Sequence, residues 1–579
     1  MTEKTMIMGK DSPLEETISR LKALLLDAGF DVEEASWLNP VPNVWSVHIR
    51  DRYCPYLFTN GKGITRDAAL ASALGEFFER LNCNYFFADF YLGEQIANSD
   101  FVHYPHEKWF TETKGLLNDK LWAYYDADRE LTPEQLVDTN SGNFERGICA
   151  LPYTRVSDNK TFYFPMNIIG NLYVSNGMAA GNTKTEARVQ CLSEIFERNI
   201  KNKILAEGIS LPTIPQEVLN RYPKVVEAIA ELEANGYPII CKDASLGGKY
   251  PVINVTLLNP QEGTAFASFG AHPKFQVALE RTLTELLQGR SLDQLNVFTP
   301  PSFELEDVSD HLNLEAHFID SNGLIHWNFF RETSDYEFND WNFGAATTQA
   351  EFDSLIDIFH KMEKDVYIMD YEHLSVYGCR IHVPGMSEIY QPEDLAWDNN
   401  NSAASLRADI LGVHELDQEA LMELHEKLEE KGFDDMLLVA HGIGVIPDAG
   451  TLWADLRFGE FKTMIALAAK NYELARAGAD WCLHFAPLKS ERKMLYSCIN
   501  TLLQIEMNDD VNTQDFQPTV EKLFGKSLVD DAQAMINGFE KFSGLHESDL
   551  NLKGFEMHQK LLTSYEKLQR AKKIWFEKK

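Results

Sequence analysis

The sequence predicts an α/β (α+β) domain of internally repeated α/β units over residues 1–402, followed by an all-α, tetratricopeptide-like domain over residues 403–579. Three observations carry this. Extended and helical segments mix up to about residue 400, strand signals nearly vanish after the turn-prone run Asp398-Asn399-Asn400-Asn401-Ser402, and one helical pattern recurs in register. With 579 residues, 44% of them hydrophobic and 24% charged, the chain has a globular composition and length enough for a large core.

The first helix is expected after Lys10. Asp11 or Ser12 is placed to cap it, Pro13 suits its first position, and Glu15 and Glu16 face the positive end of its dipole. Its apolar stripe is Leu14, Ile18, Leu21 and Leu25. Trp45-Ser46-Val47-His48-Ile49-Arg50 alternates like a strand, as does Thr161-Phe162-Tyr163-Phe164-Pro165-Met166. Val252-Ile253-Asn254-Val255-Thr256-Leu257-Leu258 is β-branched and reads as buried. Residues 462–477 have the small-residue texture of tetratricopeptide helix pairs, without a strict 34-residue period.

The net charge of −35 excludes nonspecific binding to DNA, RNA or an anionic membrane, whose phosphates such a surface repels. Residues 551–579 depart from it, with eight Lys or Arg against three Glu, and read as a solvated helix face. The eight cysteines include no C-x-x-C pair, so reduced thiols are expected. No run approaches the ~18 apolar residues of a membrane helix, and no signal-like segment opens the chain, so a cytoplasmic protein is expected.

The recurring pattern is A-x4-L-x-E-x-F-E-R. It runs through Ala69, Leu74, Glu76, Phe78, Glu79 and Arg80, and again 118 residues later through Ala187, Leu192, Glu194, Phe196, Glu197 and Arg198. A third copy keeps Ala278, Leu283 and Glu285, then departs to Leu286-Leu287-Gln288-Gly289. In the first copy Leu70, Leu74, Phe77, Phe78 and Leu81 form the core stripe, with Glu76 and Glu79 together away from it. In the second, Glu186, Gln190, Glu194 and Glu197 make one acidic line; in the third, Arg281 and Glu285 stand at i, i+4. A single such helix reads as a solvent face, but surface charges have no reason to repeat in register.

If the three helices converge, Glu76, Glu79, Glu194, Glu197 and Glu285 meet, and five carboxylates do not stay ionised together without cations. Carboxylates without His or Cys favour Mg²⁺ or Ca²⁺ over zinc or iron. Arg80, Arg198, Arg281 and Lys10 are then available for phosphate oxygens, Arg bidentately and Lys as a point charge. Asn60-Gly61-Lys62-Gly63 and Ala180-Gly181-Asn182 read as Gly-containing turns whose following helix N-termini add N–H donors. The pattern points to a Mg-nucleotide site.

These residues resemble the YcaO family: the two E-x-F-E-R helices, the line of Asn182, Glu186 and Gln190, the R-x-x-x-E of Arg281 and Glu285, and the flanks at residues 35–45 and 167–177. The resemblance covers nearly the whole chain, is strongest to a stand-alone enterobacterial-type branch, and implies an ATP site without a Walker loop. It implies Mg²⁺ ligands at Glu76, Glu79, Glu194, Glu197 and Glu285, and nucleotide contacts at Lys10, Thr17, Asn182, Glu186, Gln190, Arg198 and Arg281. Thr17 replaces a related hydroxyl, and Ala179 stands where some members have Ser. It further implies a homodimer, a protein or peptide substrate, and a partner such as a methylthiotransferase or ribosomal protein, in an accessory role in β-methylthiolation of a small-subunit ribosomal protein. Azoline-forming members phosphorylate a peptide amide oxygen and commonly end in a Pro-rich tail. This chain ends Ile574-Trp575-Phe576-Glu577-Lys578-Lys579, a departure that weighs against peptide cyclodehydration and leaves the expected ATP binding intact.

Three functions stay open: an ATP-dependent enzyme that activates an amide or carboxyl oxygen, with peptide cyclodehydration as its variant; a noncatalytic nucleotide-binding adaptor; and a dinuclear carboxylate oxidase, disfavoured because the helices carry E-x-x-E rather than Glu-x-x-His. No H-E-x-x-H or G-x-S-x-G occurs, so no catalytic residue is assigned, and His441-Gly442-Ile443-Gly444 reads as a plain loop.

Overall fold

A computed structural model describes residues 4–393 and 401–579. Part of the turn-prone run at 398–402 lies outside the described residues.

Three antiparallel sheets organise the first part of the chain. The first is β1 (Val32–Val41), β2 (Val44–Asp51) and β3 (Phe58–Gly63), in that order. The second runs β4 (Lys108–Phe110), β5 (Ile148–Arg155), β11 (Tyr367–Tyr371), β12 (Tyr377–His382) and β7 (Met178–Gly181), with β6 (Thr161–Pro165) also paired to β5. The third is β10 (Thr264–Ala271), β9 (Val252–Asn259) and β8 (Ile239–Asp243). The three strands expected from alternation and β-branching are thus β2, β6 and β9, and β9 is buried at seven of its eight positions.

Each sheet ends in an edge strand that leads into a long helix. Helix α1 (Leu14–Asp27) precedes the sheets; α2 (Arg66–Asn82) follows β3, α3 (Lys184–Ala206) follows β7, and α4 (Phe275–Leu286) follows β10. Each helix packs on its own edge strand and on the next unit's: α2 on β3 and β7, α3 on β7 and β10, α4 on β10 and β3. The repeat therefore closes into a ring. A further helix, α5 (Thr348–Lys361), packs on α3.

After residue 402 the described chain carries no strand. Helices α6 (Gln418–Lys431), α7 (Phe458–Ala468), α8 (Tyr472–His484), α9 (Ser490–Glu506), α10 (Thr513–Phe524) and α11 (Lys526–Ile536) pack largely on sequence neighbours, and α12 (Glu556–Lys578) returns to the first unit. One apolar cluster runs from Phe77, Phe78 and Leu81 on α2 through Trp453 and Phe461 to Tyr565 on α12.

Local expectations change in three places. Helix α1 has no side-chain cap; Asp11 is instead engaged by Thr183 and Thr348, because the N-terminal turn is tied to the start of α3. The basic tail is more than a solvated face: Leu561, Tyr565 and Leu568 are buried, and the Lys572 ammonium, itself buried, donates to Asn84 and to the His103 carbonyl (2.9 Å). His441 and Gly442, expected in a loop with Ile443 and Gly444, close one helical turn over Val439–Gly442. All eight cysteines are buried and unpaired, and no described helix is long and apolar enough to cross a membrane.

Candidate functional site

The repeated alanine is the point of closest approach between helix and strand. A Cβ on Gly63 would lie 2.7 Å from the Ala69 nitrogen, and one on Gly181 2.7 Å from the Ala187 nitrogen, its equivalent 118 residues on. Ala69, Ala187 and Ala278 are all fully buried. The glycines expected in phosphate-binding turns are therefore packing positions at the ends of β3 and β7, where a side chain would push the helix away. Thr65 and Thr183 cap the first two helices, each accepting from a backbone N–H three residues on at 3.2 Å.

This packing fixes which faces of α2, α3 and α4 meet at the centre. Glu76 pairs with Arg80 at 3.1 Å, and Glu79 lies 3.7 Å from the same guanidinium. The repeat gives the equivalent pair Glu194–Arg198 at 2.5 Å. Glu197 accepts the Ala271 N–H at 3.2 Å, tying α3 to β10. Glu285 pairs with Lys62, which enters from β3. Burial pushes the Glu79 carboxyl well above the usual carboxylate range, reinforced by Glu194 and Glu76 and opposed by Arg80 and Arg198. Burial also pushes Lys62 down to about 8, although Glu197, Glu76 and Glu194 favour its charged form.

A second set of residues lies beside this acidic centre. Lys10 stands 3.4 Å from the buried Glu186, which accepts the N–H groups of Asp11 (2.9 Å) and Asn182 (3.2 Å). Burial works against the ionised Glu186, but Lys10 and these donors outweigh it and hold its pKa below the usual range. Asn182 accepts from Thr17 (3.0 Å) and Arg20 (2.9 Å). Arg281 donates to Gln190 at 2.6 Å, linking α4 to α3. The residues singled out in the sequence, Arg80 included, thus fall in two adjoining groups around α2, α3 and α4.

Lys62, His272, Lys274 and Arg20 were not singled out. The His272 ring accepts the Lys274 N–H on Nδ1 (3.0 Å), and its charged form is disfavoured by burial and then by Arg281, Lys10 and Lys274. Lys274 pairs with the buried Glu351. Three of these were visible as departures from the repeat: Lys62 where the other units have Ala180 and Ala271, His272 where they have Gly63 and Gly181, and Lys274 where they have the capping Thr65 and Thr183.

The donor set suits a hard cation and a phosphate chain. The central anions are all carboxylates, and both repeat arginines keep a buried Nη1 without a hydrogen-bond partner. Among the described residues, no three His, Cys, Asp or Glu side chains are arranged to hold one metal ion. The expected gathering of five glutamates is thus a ring divided among Arg80, Arg198, Lys62 and a backbone N–H, rather than a closed ligand cluster.

A family model described as YcaO cyclodehydratase, ATP- and Mg²⁺-binding, matches residues 60–387, and one for the YcaO cyclodehydratase C-terminal domain matches residues 403–574. The chain is 56% identical, over 99% of its length and all of the relative's, to the ribosomal protein S12 methylthiotransferase accessory factor YcaO of Escherichia coli K12. It is 54% identical to an uncharacterized protein of Haemophilus influenzae, over 99% of both chains. Among solved structures, a heterocyclase in complex with substrate and cofactor is 17% identical, with a TM-score of 0.46 over 67% of this chain and 55% of that one. YcaO from Methanopyrus kandleri bound with AMPPCP and Mg²⁺ is 18% identical, with a TM-score of 0.43 over 67% and 96%. The repeated E-x-F-E-R helices, a family match spanning more than half the sequence and a full-length relative at 56% identity together place this chain in the YcaO family, whose cofactors are ATP and Mg²⁺.

Proposed function

We propose that the protein binds ATP with Mg²⁺ at the centre of the three repeated helices and activates an amide or carboxyl oxygen of a protein substrate by phosphoryl transfer. The name of the Escherichia coli relative supports an accessory role in methylthiolation of ribosomal protein S12, with the modifying enzyme or the ribosomal protein as partner. The observation that carries the reading is the pairing of a carboxylate ring with cations at its border: Glu76, Glu79, Glu194, Glu197 and Glu285 beside Arg198, Arg281 and Lys10.

In this reading the glutamates hold Mg²⁺, which supplies positive charge against the transferring phosphoryl group. Arg198 and Arg281 offer planar N–H pairs to phosphate oxygens, and Lys10 offers a point charge. Glu186 holds Lys10 in place from its buried position at the start of α3, and Thr17, Asn182 and Gln190 supply neutral hydrogen-bonding groups for the nucleotide. With ATP held there, attack of the substrate oxygen on the γ-phosphorus would break the bond to the bridging oxygen and release ADP. Residues 1–402 carry this site in the proposal, and the helices from residue 403 onward dock the partner.

Calorimetry of ATP with and without Mg²⁺, on wild type and Glu194→Ala, tests the site, and phosphate and AMP release on the same samples tests the chemistry. Mg-dependent binding lost in the variant, with phosphate released in the presence of partner, is expected. Absence of binding in wild type refutes the site; binding without turnover even with partner and substrate makes the protein an adaptor.

A further inference from the structure

The three glutamates at the same repeat position are balanced by cations of different origin. Glu76 and Glu194 are paired by Arg80 and Arg198, one turn on in their own helices. The position one turn after Glu285 is Gly289, so α4 supplies no equivalent. Lys62 supplies it from across the ring. The places equivalent to Lys62 in the other units hold Ala180 and Ala271, so the geometry of an edge strand entering its helix does not call for a long side chain. What this position alone has is a neighbour lacking an arginine.

The cations also differ in freedom. The Arg80 guanidinium lies 4.5 Å from the centroid of Tyr85, and that of Arg198 4.5 Å from the centroid of Phe318, so each is clamped between a carboxylate and a ring. Lys62 ends in a compact ammonium on a flexible four-carbon stem. It pairs with Glu285 and is within electrostatic reach of Glu76, Glu194 and Glu197, four of the five carboxylates assigned to the metal.

Resting on the Mg-ATP reading, we propose that the Lys62 ammonium is the resident counter-ion of the acidic centre: it neutralises Glu285 and its neighbours while no divalent cation is bound, yields Glu285 to the cation when one arrives, and turns its own charge to the nucleotide's phosphates. The exchange makes the metal-free centre stable and makes Mg²⁺ alone a poor ligand, because a cation entering without phosphates must displace a positive charge that has nowhere to go.

The test uses Mg²⁺ alone. Metal-free wild type, Lys62→Gln, Lys62→Arg and the double variant Lys62→Gln/Glu285→Gln are titrated with Mg²⁺ by calorimetry, and their metal-free thermal midpoints are compared. Lys62→Gln is expected to melt lower than wild type without metal and to bind Mg²⁺ at least about tenfold more tightly, since one positive charge within several ångströms opposes a second by more than that factor. Lys62→Arg should behave as wild type, and the double variant should recover the metal-free midpoint. Equal Mg²⁺ affinity in wild type and Lys62→Gln, or a double variant no more stable than the single one, overturns the proposal. Should Lys62→Gln fail to fold, the double variant decides: folded, it upholds the counter-ion role, and unfolded, it refutes it. Nucleotide is absent from every arm, so tightened Mg²⁺ binding in a protein that does not bind ATP would uphold the counter-ion and refute only the nucleotide reading.

Discussion

Replacing Gly61 with Ala tests the packing that builds the site. The new Cβ would lie 2.0 Å from the Ala69 carbonyl oxygen, 2.4 Å from the Ala73 nitrogen and 2.7 Å from the Ala73 Cβ. Carbon contacts are comfortable at ~3.5–4 Å, so α2 must withdraw from β3 by more than about 1 Å. The obstructing atoms belong to helix backbone, which cannot swing aside as a side chain does. Overpacking of this kind costs about 1–3 kcal/mol, and Gly61→Ala belongs at the upper end, because Leu74, Phe77 and Phe78 on the same helix are fully buried and must move with it. The control lies in the same unit. A Cβ on Gly75, inside α2, meets nothing within 4 Å, so Gly75→Ala should stabilise by about 0.5–1 kcal/mol through loss of chain freedom in the unfolded state. Urea unfolding should therefore move in opposite directions for the two substitutions. A Gly61→Ala midpoint at or above wild type would refute the claim that the repeated small residues set the strand-to-helix distance.

Two further outcomes follow from buried polar groups away from the centre. Glu460 on α7 is buried, pairs with Arg492 and accepts from the Tyr496 hydroxyl (3.0 Å); Glu460→Ala should cost about 3 kcal/mol in urea unfolding and Glu460→Gln distinctly less, and equal losses would show that the hydrogen bonds an amide can keep contribute nothing beside the charge. The fully buried His558 accepts the Ile446 N–H on Nδ1 (3.0 Å) and donates from Nε2 to the Tyr91 carbonyl (2.8 Å). Burial, with Arg407 adding and the Tyr91 carbonyl opposing, pushes its pKa to about 4 from the usual 6.5. Between these values the unfolded chain binds more protons than the folded one, so stability rises with pH: it is fully present above about 6.5 and declines as pH falls to about 4, by about 3 kcal/mol. His558→Gln should flatten the wild-type pH dependence in that window, and an unchanged slope would place the protonation elsewhere.

What was legible in the sequence was what the repeat makes redundant. Ala69 and Ala187, with the glutamates and arginines that follow them, announce a shared role because they recur at one spacing, and the structure brings those helices together. Lys62 was illegible for the opposite reason. Between two glycines it reads as part of a turn, and only its contrast with Ala180 and Ala271 marks it. Partners distant in sequence were equally hidden: nothing local says that β7 pairs with β12, almost 200 residues on, or that Arg188 makes a two-pronged contact with Asp370 at 3.1 and 2.7 Å. Lys572 was misjudged because a basic run looks solvated, whereas its helix presents Leu561, Tyr565 and Leu568 to the core and carries this lysine in with them.

The third copy's departure from E-x-F-E-R ties the closed ring to its unequal charges. Had α4 continued as its siblings do, Gln288 and Gly289 would be Glu and Arg, adding another anion and cation to a centre already crowded with both. Instead the Gln288 side chain donates to the Asn60 carbonyl at 2.7 Å, and the Gly289 N–H donates to the Ser46 hydroxyl at 3.2 Å, both in the first sheet. The same substitutions that stitch the last unit to the first therefore leave Glu285 without an arginine of its own. Lys62 lies two residues beyond Asn60 on the strand that receives this stitch, so closing the ring delivers the missing cation to the glutamate that lacks one. A perfectly symmetric repeat would have fixed every charge within its own helix. The broken one leaves Glu285 paired across units, with Lys62.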